Sequence, residues 1–218
     1  MSIYEVRAIV EDRRSKCVGG INVGLNIFCS SIIPMIFYNS ESWVGIQKRT
    51  FKILMEFFCR FFRCLYRIGA GAPIPNFFWQ AGLLMPEYLI LQRKLNFYFH
   101  LANLPDGSLA KEVFTKQKED SLGGLVKEIQ EHTDKLGDPT SFSKQMWKKM
   151  IIAYIKAKNK EDLLKMVSNY KKLDYMQWKD EEFERKEFFQ TLDLEGIRWM
   201  MRITSGMVNT IHGNFKQK

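Results

Sequence analysis

The run Ile46-Gln47-Lys48-Arg49-Thr50-Phe51-Lys52-Ile53-Leu54-Met55-Glu56-Phe57-Phe58-Cys59-Arg60-Phe61-Phe62-Arg63-Cys64-Leu65-Tyr66-Arg67-Ile68 spaces its apolar residues at intervals of three and four. At about 100° per residue, Phe51, Leu54, Phe57, Phe58, Phe61, Phe62, Leu65 and Ile68 share one broad arc. Arg49, Lys52, Arg60, Arg63 and Arg67 fall opposite, interrupted only by Glu56. The pattern predicts one long helix with a buried face and a guanidinium-rich stripe.

Outward from this run, nearly every segment keeps the helical period and none alternates as a strand does. Upstream, Ile3 to Arg13 reads as a short helix, Gly19-Gly20 as a break, and Ile21 to Tyr38 as an apolar helix bent or ended by Pro34. That stretch is long enough to raise the question of a membrane span. Its Asn22, Asn26, Ser30, Ser31 and Pro34 favour a buried, kinked helix instead.

Downstream, Gly69 to Asn76 reads as a loop from its glycines and prolines. Pro86 to Ala102 reads as a helix with proline in its first turn. Its apolar circumference leaves only Gln92, Arg93, Asn96 and His100 on a polar arc, so it should be central in its domain. Leu104-Pro105-Asp106-Gly107 is a turn and the expected boundary between regions 1–105 and 106–218. Beyond it, shorter amphipathic helices are expected at Leu109–Glu119, Leu122–Leu136, Ser143–Lys158, Lys160–Leu173, Glu181–Leu192 and Leu194–Met201, with Leu136-Gly137 as a helix stop. The fold class is therefore all-α: a multi-helix bundle followed by a second set of short helices.

Composition bounds the function. The 218 residues are 46% hydrophobic and 14% aromatic, enough for one sizeable core or two smaller ones. Thirty-three basic against 24 acidic residues leave a formal charge of +9, which suits nucleic-acid backbones or an anionic membrane surface, and equally the many basic domains that bind neither. Cys17, Cys29, Cys59 and Cys64 form no CxxC pair and imply no zinc set or disulfide framework. Free thiols fit a reducing compartment, and Met1 to Arg7 lacks the shape of a signal peptide, so the expected location is intracellular, cytoplasmic or nuclear. His100, His132 and His212 are far apart, Glu181-Glu182 sits in a mixed-charge run, and neither a Gly-x-Ser-x-Gly elbow nor a phosphate loop occurs. No metal, cofactor or small-molecule substrate is expected. Lys144, Lys148, Lys149, Lys156, Lys158 and Lys160 flank an apolar face of Trp147, Ile151, Tyr154 and Ile155, and read as its solvated side. Trp43 and Trp79 read as core anchors.

Specific runs also resemble a known family. Ile32-Ile33-Pro34-Met35-Ile36-Phe37-Tyr38-Asn39-Ser40-Glu41-Ser42-Trp43 resembles the segment just downstream of the palm in LINE-type retrotransposon reverse transcriptases, where the thumb opens. Matching runs follow in order: Arg60 to Gly69, Trp79-Gln80-Ala81-Gly82, Leu91 to Phe97, and His100 to Pro105. The resemblance covers about Gly19 to Pro105 and is looser beyond, where Arg202 to Met207 and Gly213-Asn214-Phe215 look like one branch of the family.

It implies a palm-to-thumb connection and thumb-like region over 1–105, a basic helical region over 106–218, and a reading frame truncated at both ends. The family's polymerase signature is an aromatic-x-Asp-Asp turn whose carboxylates hold two metal ions. No Asp-Asp pair occurs in this chain, so it is expected not to be an enzyme on its own. The resemblance points Arg49, Lys52, Arg60, Arg63 and Arg67 to an RNA or RNA–DNA backbone, where without it the stripe reads as a solvated helix face; no membrane partner is expected. The readings from other classes are a helical scaffold or interaction protein, and a relic without selected function.

Overall fold

The computed structural model describes residues 20–69, 71–119, 124–170, 173, 183–187 and 191–206. Among these the protein is all-helical, with no strand. The helices are α1 (Gly20–Ile27), α2 (Ile33–Ile36), α3 (Lys48–Tyr66), α4 (Ile74–Ala81), α5 (Pro86–Ala102), α6 (Leu109–Glu119), α7 (Leu125–Leu136), α8 (Lys144–Val167) and α9 (Leu194–Thr204). The expected helix Ile3–Arg13 lies outside the described residues.

Two compact units interleave along the chain. Unit 1 takes residues 20–36, 54–83 and the described residues from 160 onward; unit 2 takes Phe37–Ile53 and Leu84–Asn159. Division by compactness thus follows a different line from a cut at residue 105.

Unit 1 is organised by phenylalanine. The Phe28 ring stacks on Phe61 with centroids 3.9 Å apart and meets Phe58 edge-on at 5.0 Å. Phe62 continues the cluster to Phe77 and Phe78 of α4. Aromatic pairs at these separations add about 0.5–1.5 kcal/mol each beyond their buried area. The first helix reaches Pro34 by an unexpected device. Between α1 and α2 the chain makes a π turn, Phe28–Ile32, closed by the Ile33 N–H on the Phe28 carbonyl. Proline has no N–H, and its ring would strike the carbonyl four residues back. The wider turn absorbs that conflict, and the helix continues to Ile36.

The helix Ile74–Ala81 corrects the expected loop over Gly69 to Asn76. Pro73 precedes it and Pro75 occupies its first turn, where a missing N–H costs nothing. Every residue from Pro75 to Ala81 is buried. Its polar members bond to the end of α9 and to each other. The Asn76 Nδ2 donates to the Ser205 Oγ at 2.8 Å and the Thr204 Oγ1 at 3.2 Å, while Gln80 donates to the Asn76 Oδ1. Asp193 caps α9 by accepting the Gly196 N–H at 2.7 Å.

Unit 2 is built around α5, against which α6, α7 and the 3-10 turns Ser40–Ser42 and Pro139–Ser141 pack. The helix is central, as its apolar circumference predicts. One residue departs from that reading: Lys94 is buried and ion-paired with Glu128 of α7. The other Glu128 oxygen accepts the Gly45 N–H at 2.5 Å.

Ser143–Lys158 and Lys160–Leu173, expected as two helices, are largely one continuous helix ending at Val167. No glycine or proline stands near residue 159 to break it, and Asn159 is buried with its Oδ1 accepting the Met85 N–H at 2.9 Å. Residues 183–187, inside the expected helix Glu181–Leu192, are non-helical.

Candidate nucleic-acid interface

The stripe on α3 is anchored on its opposite face. Phe58, Phe61, Phe62 and Leu65 are buried in unit 1, so the helix cannot roll without opening the aromatic cluster. Arg60 is exposed and Arg63 half-buried. Burial raises the neighbouring Cys59 thiol to about 11, with Arg63 opposing that rise and Glu56 adding to it.

Arg67 does not continue the row. It follows the last helical residue in the left-handed conformation, φ +50°, and the Ile68 N–H closes on the Arg63 carbonyl at 3.2 Å. This six-to-one closure satisfies an end carbonyl that further helix would have used. Arg67 is exposed, but its position is set by a helix cap and not by helical phase. The predicted helix over Ile46–Ile68 is thereby trimmed to Lys48–Tyr66. Arg49 and Lys52 belong to unit 2 and are exposed there, beside the exposed Lys48 and Ile53.

A guanidinium on a fixed helix face can meet phosphate oxygens with two parallel N–H donors, which lysine cannot do. Arg60 has that setting.

In unit 1 the structure adds a pair that the sequence reading passed over. Trp199 of α9 is 48% exposed, and the Arg202 guanidinium lies 5.6 Å from its ring centroid. An exposed indole backed by a guanidinium is a surface on which a nucleic-acid base can stack. The signal was the three-residue spacing of tryptophan and arginine on one helix face.

In unit 2, Lys144, Lys148, Lys149 and Lys156 of α8 are exposed, Lys158 is half-buried, and Trp147, Ile151 and Ile155 are fully buried. The Trp147 Nε1 donates to the Leu95 carbonyl at 3.3 Å. Those lysines are the solvated side of an anchored helix, as their pattern predicts; Lys160, half-buried, belongs to unit 1, with its ammonium 6.0 Å from the Trp79 ring. Trp79 is a core residue, as expected, while Trp43 is only half-buried.

Of the histidines and cysteines, His132 is paired and the described cysteines are free. His132 Nδ1 and the Tyr154 hydroxyl are hydrogen-bonded at 2.8 Å, and burial lowers the histidine's pKa. His100 is exposed, and His212 and Cys17 lie outside the described residues. Cys29, Cys59 and Cys64 are free thiols. A polar cleft of about 180 Å³ lies among Tyr98, Gln117, Lys118, Gln130, Thr133 and Asp134.

Among the described residues, no group of His, Cys, Asp or Glu is arranged to hold a metal ion, and no helix is long and apolar enough to cross a membrane. Compared with known proteins, the chain matches no family model, no curated protein and no solved structure.

Proposed function

We propose that this chain is a thumb-side segment related to LINE-type reverse transcriptases, that it does not itself catalyse nucleotide transfer, and that it binds an RNA or RNA–DNA backbone through Arg60, Arg63 and Arg67. The observation that carries the reading is Arg60, an exposed guanidinium on a helix locked in place by four buried apolar side chains. A phosphate contact is productive only where the cation is held in register with the backbone. The Trp199–Arg202 pair supplies a further contact in the same unit, and Arg49 and Lys52 supply exposed cations in the other.

The test is a filter-binding titration of the whole chain against an RNA–DNA hybrid at several salt concentrations. Three phosphate contacts give a salt slope of about −2.7, and a roughly 40-fold loss of affinity from 50 to 200 mM salt. Substituting all three arginines with glutamine should reduce the steepness of the slope by about 2.7, the share of those three contacts. Binding that ignores salt, or that survives the triple substitution unchanged, removes the proposal.

A second reading, a helical interaction protein, draws on exposed apolar pairs. Leu109 and Val113 stand one turn apart on α6 at 76% and 48% exposure. It predicts self-association or partner capture that persists in high salt, measured by light scattering.

A further inference from the structure

The segment Phe183-Glu184-Arg185-Lys186-Glu187 forms no helix, yet four separate contacts hold it to unit 1. The Phe183 ring, 6% exposed, meets the Trp79 indole edge-on with centroids 6.0 Å apart. The Lys186 N–H donates to the Gln80 carbonyl at 3.1 Å, one of the end carbonyls of α4 that lack a partner within the helix. Arg185 Nη1 donates to the Asn22 and Asn26 Oδ1 atoms at 2.5 and 2.8 Å. These asparagines stand one turn apart on the same face of α1. Finally, the backbone of Glu184 and Arg185 fills the space that a side chain at residue 82 would need. A Cβ on Gly82 would lie 2.3 Å from the Arg185 nitrogen and 2.6 Å from the Glu184 carbonyl carbon.

The parts that receive this segment also carry contacts of their own. Trp79 stands on α4, whose end is turned by Gly82 at φ +61° and closed by the Leu83 N–H on the Phe78 carbonyl at 3.1 Å, neither of which involves residues 183–187. The asparagines ride on the helix that ends in Phe28 and its aromatic cluster. An aromatic wall, an outward carbonyl, a notch left by a bare Cα and two amide oxygens together form a site for a short peptide. It selects an aromatic residue followed two positions later by arginine. The grip on Arg185 uses neutral acceptors, two carboxamides, and no ion pair to a carboxylate among the described residues. A guanidinium held that way exchanges more readily than one in a bidentate salt bridge.

We propose that the Trp79–Gly82 corner, with Asn22 and Asn26, is a peptide-binding seat for aromatic-x-arginine segments, occupied in cis by Phe183–Glu187 as an exchangeable ligand. The inference shares no residue with the backbone-binding surface and stands apart from it.

The experiment uses the full chain carrying Phe183→Ala and Arg185→Ala, which keeps the seat but disables its own occupant. A fluorescein-labelled synthetic peptide of residues 181–188 is titrated in and followed by anisotropy. Saturable binding is expected. Wild type, whose own segment competes at high effective concentration, should bind at least about tenfold more weakly. A peptide with alanine at the arginine position should lose about tenfold as well. Adding Gly82→Ala, or Asn22→Ala with Asn26→Ala, should abolish binding.

A folded disabled chain that binds no peptide overturns the proposal, as does binding indifferent to both seat variants. A disabled chain that fails to fold, by circular dichroism, also overturns it. A segment the fold requires is not a displaceable ligand.

Discussion

Glutamate 128 should be worth more to stability than its surface position suggests. The Lys94 side chain is 6% exposed and the Glu128 side chain 31%. In Glu128→Ala the Lys94 ammonium stays buried without its counter-charge, and the Gly45 N–H loses its acceptor. Removing one member of a fully buried pair costs about 3–5 kcal/mol. Glu128 keeps nearly a third of its side chain in water, which screens the pair and allows solvent to reach the vacated space. An expected loss of about 2–3 kcal/mol follows.

The assay is urea unfolding followed by circular dichroism. With a slope of about 2 kcal/mol per molar urea, the midpoint should fall by about 1–1.5 M. Lys94→Met alone should cost less, because it removes the buried charge as well as the pair. Lys94→Met combined with Glu128→Ala should regain most of the loss, since no ion is then left desolvated. Hydrogen exchange at the Gly45 amide should quicken in both Glu128 variants. A single variant within about 0.5 kcal/mol of wild type, or a double variant no more stable than Glu128→Ala, would refute the reasoning.

Asn159→Ala should cost about 1–3 kcal/mol, because the buried Met85 N–H loses the carboxamide oxygen that accepts it, and differential scanning calorimetry should show the lowered midpoint. Stability should also fall as pH drops below about 6.5, the ordinary value for histidine. Burial is the main cause of the lowered His132 pKa, opposed by Glu131 and reinforced by Lys135 and Lys158. The unfolded chain therefore binds the proton first, so the His132 contribution is intact above its unfolded value and is lost on acidification. His132→Phe should flatten the melting-temperature profile between pH 7.5 and 5; an unchanged profile would assign the acid sensitivity elsewhere.

Much of the helical framework is legible in the chain because helical phase is a local property. The apolar arc of α3, the first-turn proline of α5 and the glycine stop after α7 each depend on neighbours within a few residues, and each is found. The all-α class follows from the same period. So does the exposure of Arg60, which lies opposite residues that must be buried. Where local signals conflict, the reading fails for identifiable reasons. Pro75 looks like a loop residue until it is counted in the first turn of α4. Arg67 looks helical until the chain closes into a left-handed cap. Asn159 looks like a break until its Oδ1 is seen to accept an N–H from 74 residues away.

What tertiary structure alone decided is where polar groups are buried. Lys94 lies one turn from Ile90 and Tyr98 on the buried side of α5, and only a carboxylate from α7 makes the burial of its ammonium tolerable. Gly82 closes α4 in the left-handed conformation, and that it must also stay bare to admit the backbone of residues 184 and 185 emerges only when distant segments meet. Periodicity reports which side of an element avoids water. Which remote partner arrives to satisfy a buried charge, or to fill a notch, is settled by packing between segments that sequence spacing does not encode.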